Sequence, residues 1–395
     1  MTSNARSERM TKENSTLSSH YRTILNRNLG IFLKDAVRTA LTNPVQAYFF
    51  LKAARWQRKA ARIRAKWQRH GVNIPPIIIF SVTTRCNLSC SGCYAQALHP
   101  PSNNEMSETE IRRMMREARE LGVSFFVIAG GEPFLRPEIF EIMEDFPEIL
   151  FLVFTNGLLI DERMLGRFKK QRNVVPMVSL EGHADDTDGR RGEGVHQFVQ
   201  RLIGKLKSNA IFFGTSLTIT RPTFDTLTDR QFVKNLVEAG CRFFLYLEYT
   251  PTVKGTEKLV LTSEERTKLM GLVDSFRREF SVLFFAIPGA EAEVGGCLAA
   301  GRGFVHVTAE GNVEPCPFAP FSDSNLRDSS LKDALQSKLL GVIRQHPENL
   351  KVTEGGCTLW KRRAWVEALL MDIKKKALVR ESLIKNHETP GEPNC

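Results

Sequence analysis

The chain has 395 residues, 42% hydrophobic and 25% charged, the balance of a folded protein, which excludes a disordered one. Its formal charge is +11, yet residues 1–70 hold 15 basic and 3 acidic side chains, so residues 71–395 are close to neutral. A protein basic throughout, such as a chromatin packer, is thereby excluded, and an N-terminal arm is expected to face something anionic.

No apolar run reaches the length of a membrane-spanning helix, and no secretory signal pattern is evident. The expected location is cytoplasmic, with peripheral attachment at the inner face of a membrane left open. In that compartment cysteines at 86, 90, 93, 241, 297, 316, 357 and 395 are read as metal ligands or redox groups before disulfides.

Residues 1–19 are polar and are expected to form a disordered tail, followed by a basic amphipathic helical arm over 20–75. One helical pattern covers Tyr21–Leu41. A second starts at Asn43, an N-cap residue, with Pro44 in the first helical position and Gln46 placed for a capping box, and Gly71 closes it. Val45, Phe49, Trp56, Ala60, Ile63 and Trp67 follow one face, and cations from Lys52 to Arg69 cover the rest. The arm can dock on the body or lie in a membrane interface through residues 43–70. Nucleic acid fits less well, because RNA readers set aromatics on sheets or loops.

Ile77–Val82 reads as a buried strand, and Cys86, Cys90 and Cys93 follow on the loop that leaves it. Three thiolates within eight residues can reach one metal centre. A structural zinc site wants four protein ligands, whereas three leave one iron of a cluster open. Further strand-like runs are Ser124–Ala129, Leu150–Phe154, Val174–Leu180, Ile211–Thr220 and Arg242–Tyr249. Helical patterns lie between them at Ser107–Leu121, Pro137–Glu144, Asp161–Lys170, Val195–Lys207 and Asp229–Ala239. Six strand–helix alternations predict an α/β fold with a parallel sheet and ligand groups at the carboxyl ends of its strands.

The CxxxCxxC loop after a first strand resembles the radical S-adenosylmethionine (radical SAM) superfamily. Gly130-Gly131-Glu132-Pro133 is similar to its GGEP segment, Thr155-Asn156-Gly157 to its third-strand end, and Ser179-Leu180-Glu181-Gly182 with Asp188 to Gly192 to its SxDG…DxxRG stretch. The resemblance implies a partial (β/α)6 TIM-like barrel over 76–280, with Cys86, Cys90 and Cys93 holding a [4Fe–4S] cluster whose fourth iron is chelated by SAM. An electron from the cluster would cleave SAM to a 5′-deoxyadenosyl radical that abstracts a substrate hydrogen. Gly130, Gly131, Glu132, Pro133, Asn156, Ser179 and Glu181 would contact SAM, and Arg191 would pair with Asp188. One departure is Gly92, where many members carry an aromatic residue before the third cysteine, while Tyr94 follows it here.

Residues 281–377 are expected to form a small α+β extension, with a tail over 378–395. Phe304–Thr308 and Val313–Cys316 flank a turn at Gly311. Cys297, Gly311 and Cys316 are spaced like the opening of the SPASM or twitch extension, which implies an auxiliary [4Fe–4S] cluster on Cys297, Cys316 and Cys357. Its fourth ligand stays open among Cys395, a carboxylate, His306 and the substrate. Three separate buried thiols are the alternative, and Cys241 is expected in the core. At the sixth strand Tyr246 and Glu248 share one face and Tyr249 takes the other. Tyr246 and Glu248 are the candidates for handling a proton or an electron.

The resemblance implies an oxidoreductase or transferase acting on a peptide or protein, with an external flavodoxin- or ferredoxin-type electron donor. A membrane-associated lipid is the second substrate class. A zinc-stapled nucleic-acid-binding protein is the remote alternative.

Overall fold

Short apolar runs that alternate with amphipathic helices assemble into one open sheet. The computed structural model describes residues 29–387 except 31, 42, 290, 292–294 and 352–356, so the tail expected at 1–19 and Cys395 lie outside the described residues. The strands are β1 (Ile77–Ser81), β2 (Phe125–Ala129), β3 (Leu150–Thr155), β4 (Val174–Leu180), β5 (Gly214–Ile219), β6 (Phe243–Glu248), β7 (Leu283–Ile287), β8 (Phe304–Val307) and β9 (Val313–Glu314). Their spatial order is β7-β6-β5-β4-β3-β2-β1-β8-β9. Strands β1 to β7 run parallel in sequence order, β8 lies parallel to β1, and β9 turns back antiparallel to β8.

This is the expected α/β partial barrel, left open between β7 and β9, with one strand more than the six predicted. The run Leu283-Phe-Phe-Ala-Ile287 follows the helix Ser263–Glu279 and carries no alternation, so a short apolar run of this kind reads equally as buried helix. The helix Arg363–His387 crosses the boundary expected at 377.

Alternation divides the sheet into two faces. Ile78, Phe80, Phe126, Ile128, Phe151, Val153, Leu217, Phe244 and Phe284 pack outward against the helices. Phe125, Leu150, Val175, Met177, Phe243, Leu245 and Leu283 face inward and meet Leu33, Ala36, Ala40, Phe50 and Ala53 of the arm. Phe32, in the helix over 32–39, sets its ring 5.6–5.9 Å from those of Phe125, Phe243 and Phe285. The arm therefore plugs the amino-terminal end of the inner face.

The helix Pro44–Arg69 starts as predicted, with the Asn43 side chain accepting from the Gln46 amide at 3.2 Å. The capping box is not reciprocal, because the Gln46 side chain donates to the Arg172 carbonyl instead. The buried line is Ala47, Phe50, Ala53, Gln57 and Arg64, about one residue away from the predicted stripe. Phe49, Trp56, Ala60, Ile63 and Trp67 are half-buried along its edge, and Val45 is exposed. Arg64 donates to the Gly122 carbonyl, and burial pushes its guanidinium down to about 10.

Candidate functional site

The loop leaving β1 is fixed at its root by a single carboxylate. Glu105 accepts from the Thr83 hydroxyl and the Thr84 amide at 2.8 Å and from the Thr84 hydroxyl at 3.0 Å. The Gly131 amide donates to the Thr83 carbonyl and the Glu132 amide to the Arg85 carbonyl, both at 2.8 Å. A side chain at Gly131 would collide with the Arg85 carbonyl, so glycine there lets the cysteine loop approach. Gly130 and Gly131 also line a narrow cleft, open to solvent, with Ser81, Thr83, Thr84, His99 and Glu310.

Glu132 is buried and accepts from the Thr155 hydroxyl and the Asn156 amide, each at 2.8 Å. Burial pushes its carboxyl up, and these hydrogen bonds oppose the shift. The side chain thus ties the end of β2 to the end of β3, and both its oxygens are engaged by protein donors. Pro133 opens the short helical turn that follows. Asn156 Nδ2 donates at 2.8 Å to Asn87, inside the cysteine loop.

At the end of β4, Ser179 lies 3.1 Å from the Ser216 hydroxyl. Buried Glu181 accepts from Arg191 at 2.7 and 2.9 Å and from Arg190. This corrects the expected Arg191–Asp188 pair: Asp188 accepts from the amides of Gly194 and His196 at the start of the next helix. Burial raises the Glu181 carboxyl, but the two guanidiniums outweigh it and hold the group below the usual range. Burial likewise pushes the Cys90 thiol up, opposed by Arg191 and Arg190.

Cys86 is exposed, Cys90 and Cys93 are half-buried, and none of the three is in a disulfide. Burial raises the Cys86 thiol, and Cys90 and Cys93 add to that rise. Unpaired thiols gathered on one loop, two cations beside them and glycine-lined space alongside fit a soft metal centre that carries a small anionic ligand.

The structure does not bring Tyr246 and Glu248 to this site. Both lie on the outer face of β6, where Tyr246 donates to the Leu227 carbonyl at 3.1 Å and Glu248 accepts from Arg266 Nε at 2.9 Å. Burial raises the Tyr246 phenol well above its ordinary value. Two-residue periodicity names the residues that share a face, and the inner face belongs to Phe243, Leu245 and Leu247. Tyr249 continues that inner line. Its hydroxyl is buried with no hydrogen-bond partner among the described residues. Gly92 has φ +67°, and any side chain there would collide with the Tyr249 hydroxyl. The phenol, on the residue just after β6, therefore fills the space beside the residue that precedes Cys93. Tyr94 instead packs on Phe318, ring centroids 4.8 Å apart.

A second trio gathers below the β8–β9 hairpin. Cys297 and Cys316 are buried and Cys357 is half-buried. The Cys316 thiol shares a hydrogen bond with Cys357, which holds the Cys357 thiol below its ordinary value, while burial and that bond push Cys316 up. Burial also raises Cys297, with Cys357 and Glu291 adding to it. Burial pushes the Glu291 carboxyl itself up to about 7. Both ring nitrogens of His306 are engaged, Nε2 with the Ser81 hydroxyl at 2.8 Å and Nδ1 with Glu314 at 2.7 Å. Cys241 is buried, its thiol on the Phe243 carbonyl.

Residues 80–238 match the family model of the Radical SAM superfamily. The AdoMet-dependent heme synthase of Methanosarcina barkeri is 23% identical over 72% of this chain and 89% of its own length. The mycofactocin maturase MftC of Mycolicibacterium smegmatis is 26% identical over 67% of this chain and 69% of its own. Streptococcus suis SuiB, solved also with S-adenosylmethionine and with its precursor peptide SuiA, superposes with a TM-score of 0.59 at 19% identity, over 75% of this chain and 73% of that one. No helix among the described residues is long and apolar enough to cross a membrane.

Proposed function

This chain belongs to the radical SAM superfamily and is an enzyme, and from that premise we propose that it uses SAM to modify a peptide or protein, with an auxiliary cluster in its C-terminal extension. The observation that carries the reading is the presence of two separate thiol trios, one on the rim of the sheet and one under the β8–β9 hairpin. Cys86, Cys90 and Cys93 would hold the first [4Fe–4S] cluster, and Cys297, Cys316 and Cys357 the second, with Glu291 beside it. When bound, the first cluster supplies the electron that cleaves SAM to a 5′-deoxyadenosyl radical.

The chain's own residues do the positioning. Glu105, Gly131 and Asn156 hold the cysteine loop in place. Glu181 aims two guanidiniums at it, where they favour thiolate and attract the SAM carboxylate. The plugged inner face keeps water from the floor of the site. The reading is tested by anaerobic reconstitution with a chemical reductant in place of the flavodoxin- or ferredoxin-type donor. About eight irons per chain and 5′-deoxyadenosine from SAM are expected. A colourless, zinc-loaded protein would restore the nucleic-acid-binding alternative.

A second reading, a membrane-bound lipid substrate, rests on one patch. Leu41, Val45, Tyr48 and Leu51 are 51–66% exposed, and Lys52 stacks over Tyr48 at 4.8 Å. Arg55, Arg58 and Lys59 follow, in no ion pair among the described residues. Apolar residues rimmed by cations suit an anionic bilayer surface. Tyr48→Glu with Leu51→Glu should abolish salt-sensitive cosedimentation with phosphatidylserine vesicles. Equal partitioning of variant and parent would remove the membrane from consideration.

A further inference from the structure

Between the cysteine loop and the auxiliary thiols lies a third group of ligating side chains. His99 follows the helix Tyr94–Leu98, His306 sits on β8, and Glu314 sits opposite it on β9. One ring nitrogen of each histidine and one Glu314 oxygen lie within 4.8 Å of one another. His306 and Glu314 are buried and His99 is half-buried. Such a cluster does not come from local sequence, because its members are drawn from three elements up to 215 residues apart.

The hydrogen bonds around the group prepare it for a cation. His99 Nε2 meets the Pro317 carbonyl at 3.2 Å, and a carbonyl only accepts, so Nε2 carries the proton and Nδ1 keeps its lone pair. His306 Nε2 lies 2.8 Å from the Ser81 hydroxyl, which can accept its proton, and in that tautomer the Nδ1 lone pair faces Glu314. A ligating histidine ordinarily donates its second ring N–H to an outer partner in this way. Two imidazoles and one carboxylate form a donor set for a divalent transition metal that retains open positions. Open positions have a place to go, because Ser81, His99 and Glu310 line the cleft that also holds Gly130 and Gly131.

We propose that His99, His306 and Glu314 bind a divalent transition-metal ion at the border of this cleft, separate from both thiol trios. The site does not depend on the peptide-modification reading. The bound ion would present its open positions to an oxygen or nitrogen ligand in the cleft, such as a carboxylate.

The probe is Mn²⁺, which thiolates bind poorly and whose aqueous form gives a six-line electron paramagnetic resonance signal. Reconstituted holoenzyme, passed over a chelating resin, should withdraw one Mn²⁺ per chain from that signal. Glu314→Gln, which preserves shape, and His99→Asn should each weaken binding at least tenfold, with the iron–sulfur absorbance and thermal unfolding used to confirm that they fold. No binding by the parent, or equal binding by the parent and both folded variants, overturns the site. Formation of 5′-deoxyadenosine in the same preparations separates that failure from a failure of the enzyme reading.

Discussion

The two thiol trios differ in what surrounds them. Cys86, Cys90 and Cys93 stand on a loop at the rim of the sheet, exposed or half-buried, with Arg190 and Arg191 alongside. Cys297 and Cys316 are buried in the extension, and Cys316 is hydrogen-bonded to half-buried Cys357. An accessible trio with cations suits a centre to which a charged molecule must come and go. A mostly buried trio suits a centre whose ligands stay put and which passes electrons or supports the fold. On the proposed reading the same residue type would serve two purposes, separated by burial rather than by spacing.

The largest effect tests the rim. Cys90→Ala should reduce 5′-deoxyadenosine formation at least ~10³-fold and the iron content from about eight to about four per chain, with little change in thermal unfolding, because the loop is not core. SAM cleavage that survives this change would assign the reaction elsewhere. Cys316→Ala should remove a similar number of irons and also destabilise the chain by about 1–3 kcal/mol, because it leaves a gap in packed surroundings. If the two variants have the same unfolding temperature, the contrast in burial has no energetic meaning.

How much of this was legible depends on the range of the signal. The cysteine loop, the GGEP turn and six of the strands are written in runs of four to ten residues, and they fold along those runs. Contacts that join distant turns are not so written. Arg191 could have met Asp188, three residues away in the same helix, but Asp188 was taken by the amides of the next helix and Glu181 by Arg191. Alternation along β6 groups Tyr246 with Glu248, but which group faces inward is decided by the arm and the helices that cover the sheet. The arm shows the same limit. Its cations and apolar residues were visible, but the buried line of the helix Pro44–Arg69 was set by docking against Phe212, Arg172 and Gly122, one residue away from the apparent stripe. Deleting residues 1–70 would uncover that inner face, so point variants on the exposed patch are the cleaner membrane test.

Tyr249 sharpens the contrast at the rim, because it pairs an unsatisfied buried hydroxyl with the cluster loop. In the cofactor-free chain, Tyr249→Phe should raise stability by about 1 kcal/mol, since an unpaired buried polar group costs that much or more. In the reconstituted enzyme the same change should slow 5′-deoxyadenosine formation about tenfold if the phenol finds its partner there, the loss of one hydrogen bond. A stabilised variant with unchanged rate would make Tyr249 a filler for the space beside Gly92 and nothing more.

The smallest effect concerns the seam between the two regions. Glu110 caps the helix Glu108–Leu121 through Ser107 and accepts from Arg327 of the extension at 2.9 Å. Arg327 also donates to the carbonyls of Asn104 and Glu105, beside the root of the cysteine loop. The Ser107 amide, the Ser107 hydroxyl and Arg327 hold the Glu110 carboxyl down to about 2. A carboxyl lowered on folding contributes stability that is complete above its unfolded value near 4.5 and is lost as the pH falls through about 2. Because the group is largely solvated, the contribution is about 0.5–1 kcal/mol. Glu110→Gln should therefore lower stability slightly at neutral pH and flatten the acid limb of the unfolding curve between pH 4.5 and 2. If parent and variant lose stability in parallel over that range, the seam is held by apolar packing, and the rim and the mostly buried trio are coupled through the core instead of through this charge.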